Sequence, residues 1–121
     1  MIQATEIITL PISFSALGDN DIVTPNQLPA ELETKNQIYV STMVLVPEGE
    51  TRFKLKQVDM DTGAEEVITG NMKAFDAQPF NFETTSPIMP FIFKLRQNHK
   101  LVVEMPSAVA VEGFINVAYR Y

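Results

Sequence analysis

Cysteine and tryptophan are absent from this chain of 121 residues, and histidine occurs once, as His99. Without cysteine there are no disulfides and no thiolate ligands, which suits folding in a reducing cytosol. A catalytic zinc site draws on several imidazoles, so a solitary His99 among polar turn residues reads as a surface residue, and no metal is expected. The five glycines stand singly rather than in a phosphate-cradling loop, and no cofactor is expected. The longest apolar runs, Met43–Pro47 and Ile88–Phe93, are far too short to cross a bilayer, so no membrane partner is expected. Met1–Glu6 has neither the basic nor the apolar region of a signal peptide, and standard export is not expected. Cations are also scarce: nine Lys and Arg against fifteen Asp and Glu leave a net charge of −6, which repels phosphate backbones and excludes nucleic acid as the expected partner. The imbalance sits at the front, where residues 1–50 hold Lys35 against seven carboxylates. Residues 87–121 hold Lys94, Arg96, Lys100 and Arg120 against Glu104 and Glu112, and an acidic half can complement a mildly basic end across subunits.

What is present is alternation. Apolar and polar residues trade places from Ile2 to Tyr121, broken at intervals by turn clusters, and that period of two specifies an all-β protein in a single domain, 1–121. Residues 2–10 read as an extended segment ending at Pro11, with 1–10 an N-terminal arm or an edge strand. Ile12, Phe14 and Ala16 then face inward, and Gly18-Asp19-Asn20-Asp21 reads as a turn. Thr24–Asn36 is the longest loop-like stretch. Gln37–Val46 is the best strand, with Ile38, Val40, Thr42, Val44 and Val46 on one face and Tyr39, Ser41, Met43 and Leu45 on the other.

Pro47–Glu50 turns the chain into Thr51–Val58, which puts Phe53 and Leu55 inward and Arg52, Lys54 and Lys56 outward. Shorter strands follow at Glu65–Thr69, Pro79–Thr84, Ile88–Arg96 and Lys100–Met105. Pro106-Ser107 and Glu112-Gly113 read as breaks before a final strand, Phe114–Tyr121. About eight antiparallel strands with connections of mixed length fit a β-sandwich of jelly-roll type better than an up-and-down barrel. The expected core is Phe14, Ile38, Val40, Val44, Phe53, Leu55, Phe82, Phe91, Phe93, Leu101, Val103, Ile115 and Val117.

Reacting groups are sparse. Asp59-Met60-Asp61-Thr62-Gly63, with Glu65 and Glu66, superficially matches a calcium loop but lacks its third oxygen ligand and its bidentate Glu, so a hairpin turn is the simpler reading. Ser13, Ser15, Ser41, Ser86 and Ser107 lie in no nucleophile elbow, and a triad would have only His99 as base. Paired-carboxylate hydrolysis needs two acids, for which Glu31, Glu33, Glu48, Glu50 and Asp76 are available, but only Tyr39, Tyr119 and Tyr121 could form a sugar platform. No catalytic residue is assigned. The candidate partner contacts are Arg52, Lys54 and Lys56, like charges on one strand face, and Tyr119 and Tyr121 at the end of the last strand.

Five segments carry a resemblance: Ile-Ser-Phe-Ser-Ala-Leu-Gly-Asp-Asn-Asp-Ile-Val from Ile12, Lys-Asn-Gln-Ile-Tyr-Val from Lys35, Arg-Phe-Lys-Leu-Lys from Arg52, Leu-Val-Val-Glu from Leu101, and Val109–Tyr119. In this order the chain resembles the small jelly-roll decoration, or cement, proteins on the heads of tailed bacteriophages. The resemblance implies a non-enzymatic virion protein, made in the host cytoplasm and bound to the outer capsid surface. It would be a homotrimer tying major capsid proteins together, with Met1–Leu10 an arm that adds a strand to a neighbour. The alternative is a carbohydrate-binding or host-recognition module of a phage tail or fibre, resting on the tyrosines.

Overall fold

In the computed structural model, which describes residues 5–24, 38–83, 93–96 and 98–120, the alternating segments become strands and no helix forms among them. The described strands are β1 (Thr5–Phe14), β2 (Gly18–Val23), β3 (Ile38–Pro47), β4 (Thr51–Asp59), β5 (Glu65–Val67), β6 (Met72–Ala74), β7 (Phe80–Glu83), β8 (Phe93–Leu95), β9 (His99–Met105) and β10 (Val111–Arg120). They form two antiparallel sheets of five strands each, a β-sandwich. Sheet A runs β1-β10-β3-β7 with β8 also on β3, and sheet B runs β2-β9-β4-β5 with β6 also on β4. Ten strands appear where about eight were expected because two are interrupted. β5 and β6 share one side of β4, and β7 and β8 share one side of β3. Between β5 and β6 the Ile68 and Thr69 amides both donate to the Leu55 carbonyl, and the Thr69 hydroxyl accepts from the Leu55 amide. That side chain takes over a ladder bond, which is how the bulge stays satisfied.

The core lies between the sheets. Ile12, Met43, Leu45, Val111, Ile115 and Val117 come from sheet A, and Phe53, Leu55, Leu101, Val103 and Met105 from sheet B. Phe53 is its centre, meeting the Phe14 and Phe80 rings edge-on at centroid distances of 6.3 and 5.6 Å. Polar groups inside are partnered. The Gln57 side chain accepts from the Arg96 amide at 2.9 Å. Asn20 accepts from the Ala16 amide at 3.1 Å and donates to the Ala16 carbonyl at 2.9 Å.

Several sequence expectations are corrected here. Val44 is outside the core, facing out and half-buried, while Met43 and Leu45 are fully buried. Asn116 pairs with Thr42 but Val117 pairs with Val40, so Ser41 is an extra residue and the inward parity changes along β3. Val40 therefore points inward together with Met43 and Leu45, residues that strict alternation puts on the opposite face. Gly18–Val23 is strand rather than turn; the bend lies just before it, held by the Asn20 amide group. β1 continues through Pro11 to Phe14, and it can do so because, among the described strands, it lies at the edge of its sheet. A proline has no N–H for the ladder, so its position must face the free side. β10 likewise runs through Glu112-Gly113 without a break. Phe14 is half-buried against the core rather than within it. Residues 25–37, Phe91 and Tyr121 lie outside the described residues, as do the side chains of Ile38, Phe82, Phe93 and Tyr119.

Candidate functional site

The outer faces of the two sheets differ sharply. Alternation turns Arg52, Lys54, Lys56 and Val58 of β4 outward on sheet B, because Phe53, Leu55 and Gln57 are buried on the inner side. Neighbouring strands supply acids at matching positions: Lys54 is directly opposite Glu104 on β9, and Glu104 is opposite Asp19 on β2. The result is a lysine set among carboxylates. Lys56 Nζ lies 2.8 Å from Glu65 Oε1, 2.9 Å from Asp19 Oδ1 and 3.7 Å from Glu104 Oε1. Lys54 Nζ reaches Glu104 at 3.9 Å.

Lys56 points outward as expected, yet it is only 4% exposed. Burial by itself disfavours its charge, but hydrogen bonds to Glu65 and then Asp19, with the charges of Asp19 and Glu104, outweigh that and hold its pKa above the ordinary lysine value. Three acids converge, and the cation they hold is this ammonium. Among the described residues no group of three or more His, Cys, Asp or Glu is arranged for a metal ion. Arg52 is exposed at the end of the row, and Lys54 is half-buried. Further along, Lys100 pairs with Asp21 at 3.1 Å and Arg96 with Glu66 at 3.0 Å.

The Asp59–Ala64 turn is a tight hairpin. Gly63 takes a positive φ of 74°, a conformation that costs glycine little, and its amide donates to the Asp59 carbonyl. Asp59 Oδ1 accepts from the Asp61 and Thr62 amides, and these bonds hold its carboxyl below the ordinary value of 3.8. Its Oδ1 is thus committed to the turn. His99, expected in a turn, opens β9 instead, with Nε2 4.0 Å from Asp59 Oδ2, while Asn98 takes the left-handed turn position. Asp59→Ala is expected to speed hydrogen exchange at the Asp61 and Thr62 amides, read by NMR. A lowered folded pKa means the contribution is full above the ordinary value and fades as pH falls through the folded one. The gap between wild type and variant should therefore narrow in acid.

Among the described residues, the outer face of sheet A shows no such charge lattice. Pro11 is opposite Phe114, and Phe114 is opposite Val44, which makes an apolar row across three strands. Phe114 is 38% exposed and Ile7, on the same face of β1, is 63% exposed. Beside the row lies a shallow groove of about 660 Å³ lined by Pro11, Ile12, Val46, Glu48, Glu112 and Phe114, among others. Sequence reasoning misses this face. It puts Phe114 at the start of a strand after a break, and which side the ring takes depends on β10 running unbroken through Gly113. Of the tyrosines, Tyr39 is half-buried.

No family model matches the chain, and no curated protein matches it. A solved structure from Bacillus endospore appendages, described as forming a novel family of disulfide-linked pili, is similar over 99% of this chain and 91% of its own, with a TM-score of 0.57 and 12% identity. The likeness is one of fold.

Proposed function

We propose that the chain is a structural subunit of a larger protein assembly, using one sheet face as adhesive and the other as a charge-neutralised outer surface. The carrying observation is the contrast between the faces: sheet B pairs its acids with Lys54, Lys56, Lys100 and Arg96, whereas sheet A exposes Pro11, Phe114 and Ile7. An exposed apolar patch with a polar border is the usual mark of a contact surface. The assembly we favour is a phage head, with the chain as a cement protein bound as a homotrimer to the outside of the major capsid protein lattice. The strand order supports a jelly roll: with each interrupted strand taken once, the sheets read first-eighth-third-sixth and second-seventh-fourth-fifth. A ligand that binds only the assembled lattice stabilises it by mass action, and many copies act together.

The fold neighbour from endospore appendages favours a second reading, a fibre subunit. With no cysteine in its sequence, this chain would build a fibre without the disulfide links of those pili. Sedimentation and electron microscopy test both readings. A trimer that saturates mature heads is the expected result, and fibres formed by the chain alone would support the second reading. A strict monomer with no affinity for heads and no fibres would end both. Phe114→Ser is expected to abolish docking on heads while lowering the melting temperature by only a few degrees, since the ring is 38% exposed and outside the core between the sheets.

A further inference from the structure

We infer that the groove on the outer face of sheet A is a docking site for a protein partner that presents lysine or arginine beside an apolar side chain. The inference rests on the assembly reading and names the chemistry of the partner. Apolar contact comes from Pro11, Val46 and Phe114, and Glu48 and Glu112 stand in the lining with exposed side chains. Neither carboxylate has a cation beside it among the described residues. Elsewhere the acids Glu50, Glu66, Glu104, Asp19 and Asp21 each meet a lysine or arginine within the chain. A partner that presents a cation here would pair with Glu48 and Glu112 as these lysines and arginines pair with their acids.

Charge also argues against a second copy seated patch to patch. Two-fold pairing with the axis through the groove would bring Glu48 and Glu112 of both copies together, and like charges brought together across an interface disfavour that pairing. Strand addition along β1 is a poor alternative, because Pro11 removes a donor from the middle of that edge. Recognition would come from side chains in the groove, with the cation fixing orientation and the apolar group packing against Pro11 and Phe114.

The test uses the full chain and two synthetic peptides, Thr-Lys-Thr-Leu-Thr-Lys-Thr and Thr-Glu-Thr-Leu-Thr-Glu-Thr, followed by amide shifts in NMR spectra. The basic peptide is expected to move the Ser13, Glu112, Gly113 and Phe114 amides, and the acidic peptide to leave them in place. Combining Glu48→Gln with Glu112→Gln should weaken the basic peptide at least tenfold without changing the fold, as both side chains are exposed. Equal response to both peptides, no response to either, shifts centred on Lys56, or self-association that Phe114→Ser breaks would each overturn the inference. If the double variant still docks on heads like wild type while the peptide fails to bind, the groove assignment falls and the assembly reading stands. If the chain binds the basic peptide but no particle and no copy of itself, the groove assignment stands and the assembly reading falls.

Discussion

Replacing Gly113 by alanine is expected to bring the sandwich close to unfolding. A Cβ built on Gly113 would collide with the Val44 carbonyl oxygen, and would lie 2.8 Å from the Val44 carbonyl carbon and 3.1 Å from the Leu45 Cα. These are backbone atoms of the adjacent strand, and no rotamer change can move them away. Gly113 also pairs with Ile12 on its other side, so β10 cannot shift from β3 without disturbing β1. Overpacking against side chains typically costs about 1–3 kcal/mol, and a backbone obstacle in a central strand should cost about 3 kcal/mol or more. Urea unfolding of Gly113→Ala beside Gly70→Ala provides the measurement. Gly70 faces open space, and its substitution should stay within about 0.5 kcal/mol of wild type. Equal effects at the two positions would show that β3 and β10 approach each other less closely at Gly113.

Lys56→Ala is the second large effect. Removing one partner from a buried ion cluster costs about 3–5 kcal/mol when the remaining charges stay buried, but Asp19, Glu65 and Glu104 are each more than a third exposed and can be solvated, so the loss should fall below that range, about 2 kcal/mol. Lys56→Met should lose less, because its chain can still cover the outward-facing Val102 directly opposite and Val58 two residues on, both buried. The alkaline limb separates the charge from the packing. A lysine whose folded pKa lies above its ordinary value of 10.5 contributes stability that is fully present below that pH and is lost as pH rises through the folded value. Wild type should therefore lose stability above about pH 10.5 more steeply than Lys56→Met, followed by denaturation across that range. Parallel curves would mean the ammonium contributes little.

Lys56 also marks where reading along the chain stops short. Its outward direction is legible from the period of two on β4, but its burial is not, because the acids that cover it come from β2, β5 and β9. Glycine and proline mislead in a similar way. Gly113 signals a turn and Pro11 a strand end, while one lies where two backbones approach closely and the other lies on a free edge. The role in assembly is a proposal, and the groove proposed to serve it joins residues more than 90 positions apart in sequence, such as Pro11 and Phe114, which only strand pairing brings together.

The chain alone determined an all-β sandwich and much of its core, since strict alternation leaves apolar residues one face to hide, and Phe53, Leu55, Leu101, Val103, Ile115 and Val117 are identified that way. Tertiary structure decided the phase of β3, where a single extra residue at Ser41 exchanges which side chains point inward. It also decided which outer face carries paired charges and which exposes Phe114 and Ile7. Alternation specifies inside from outside but carries no information about which strands become neighbours, and it is the neighbours that neutralise sheet B and leave Glu48 and Glu112 without cations among the described residues of sheet A.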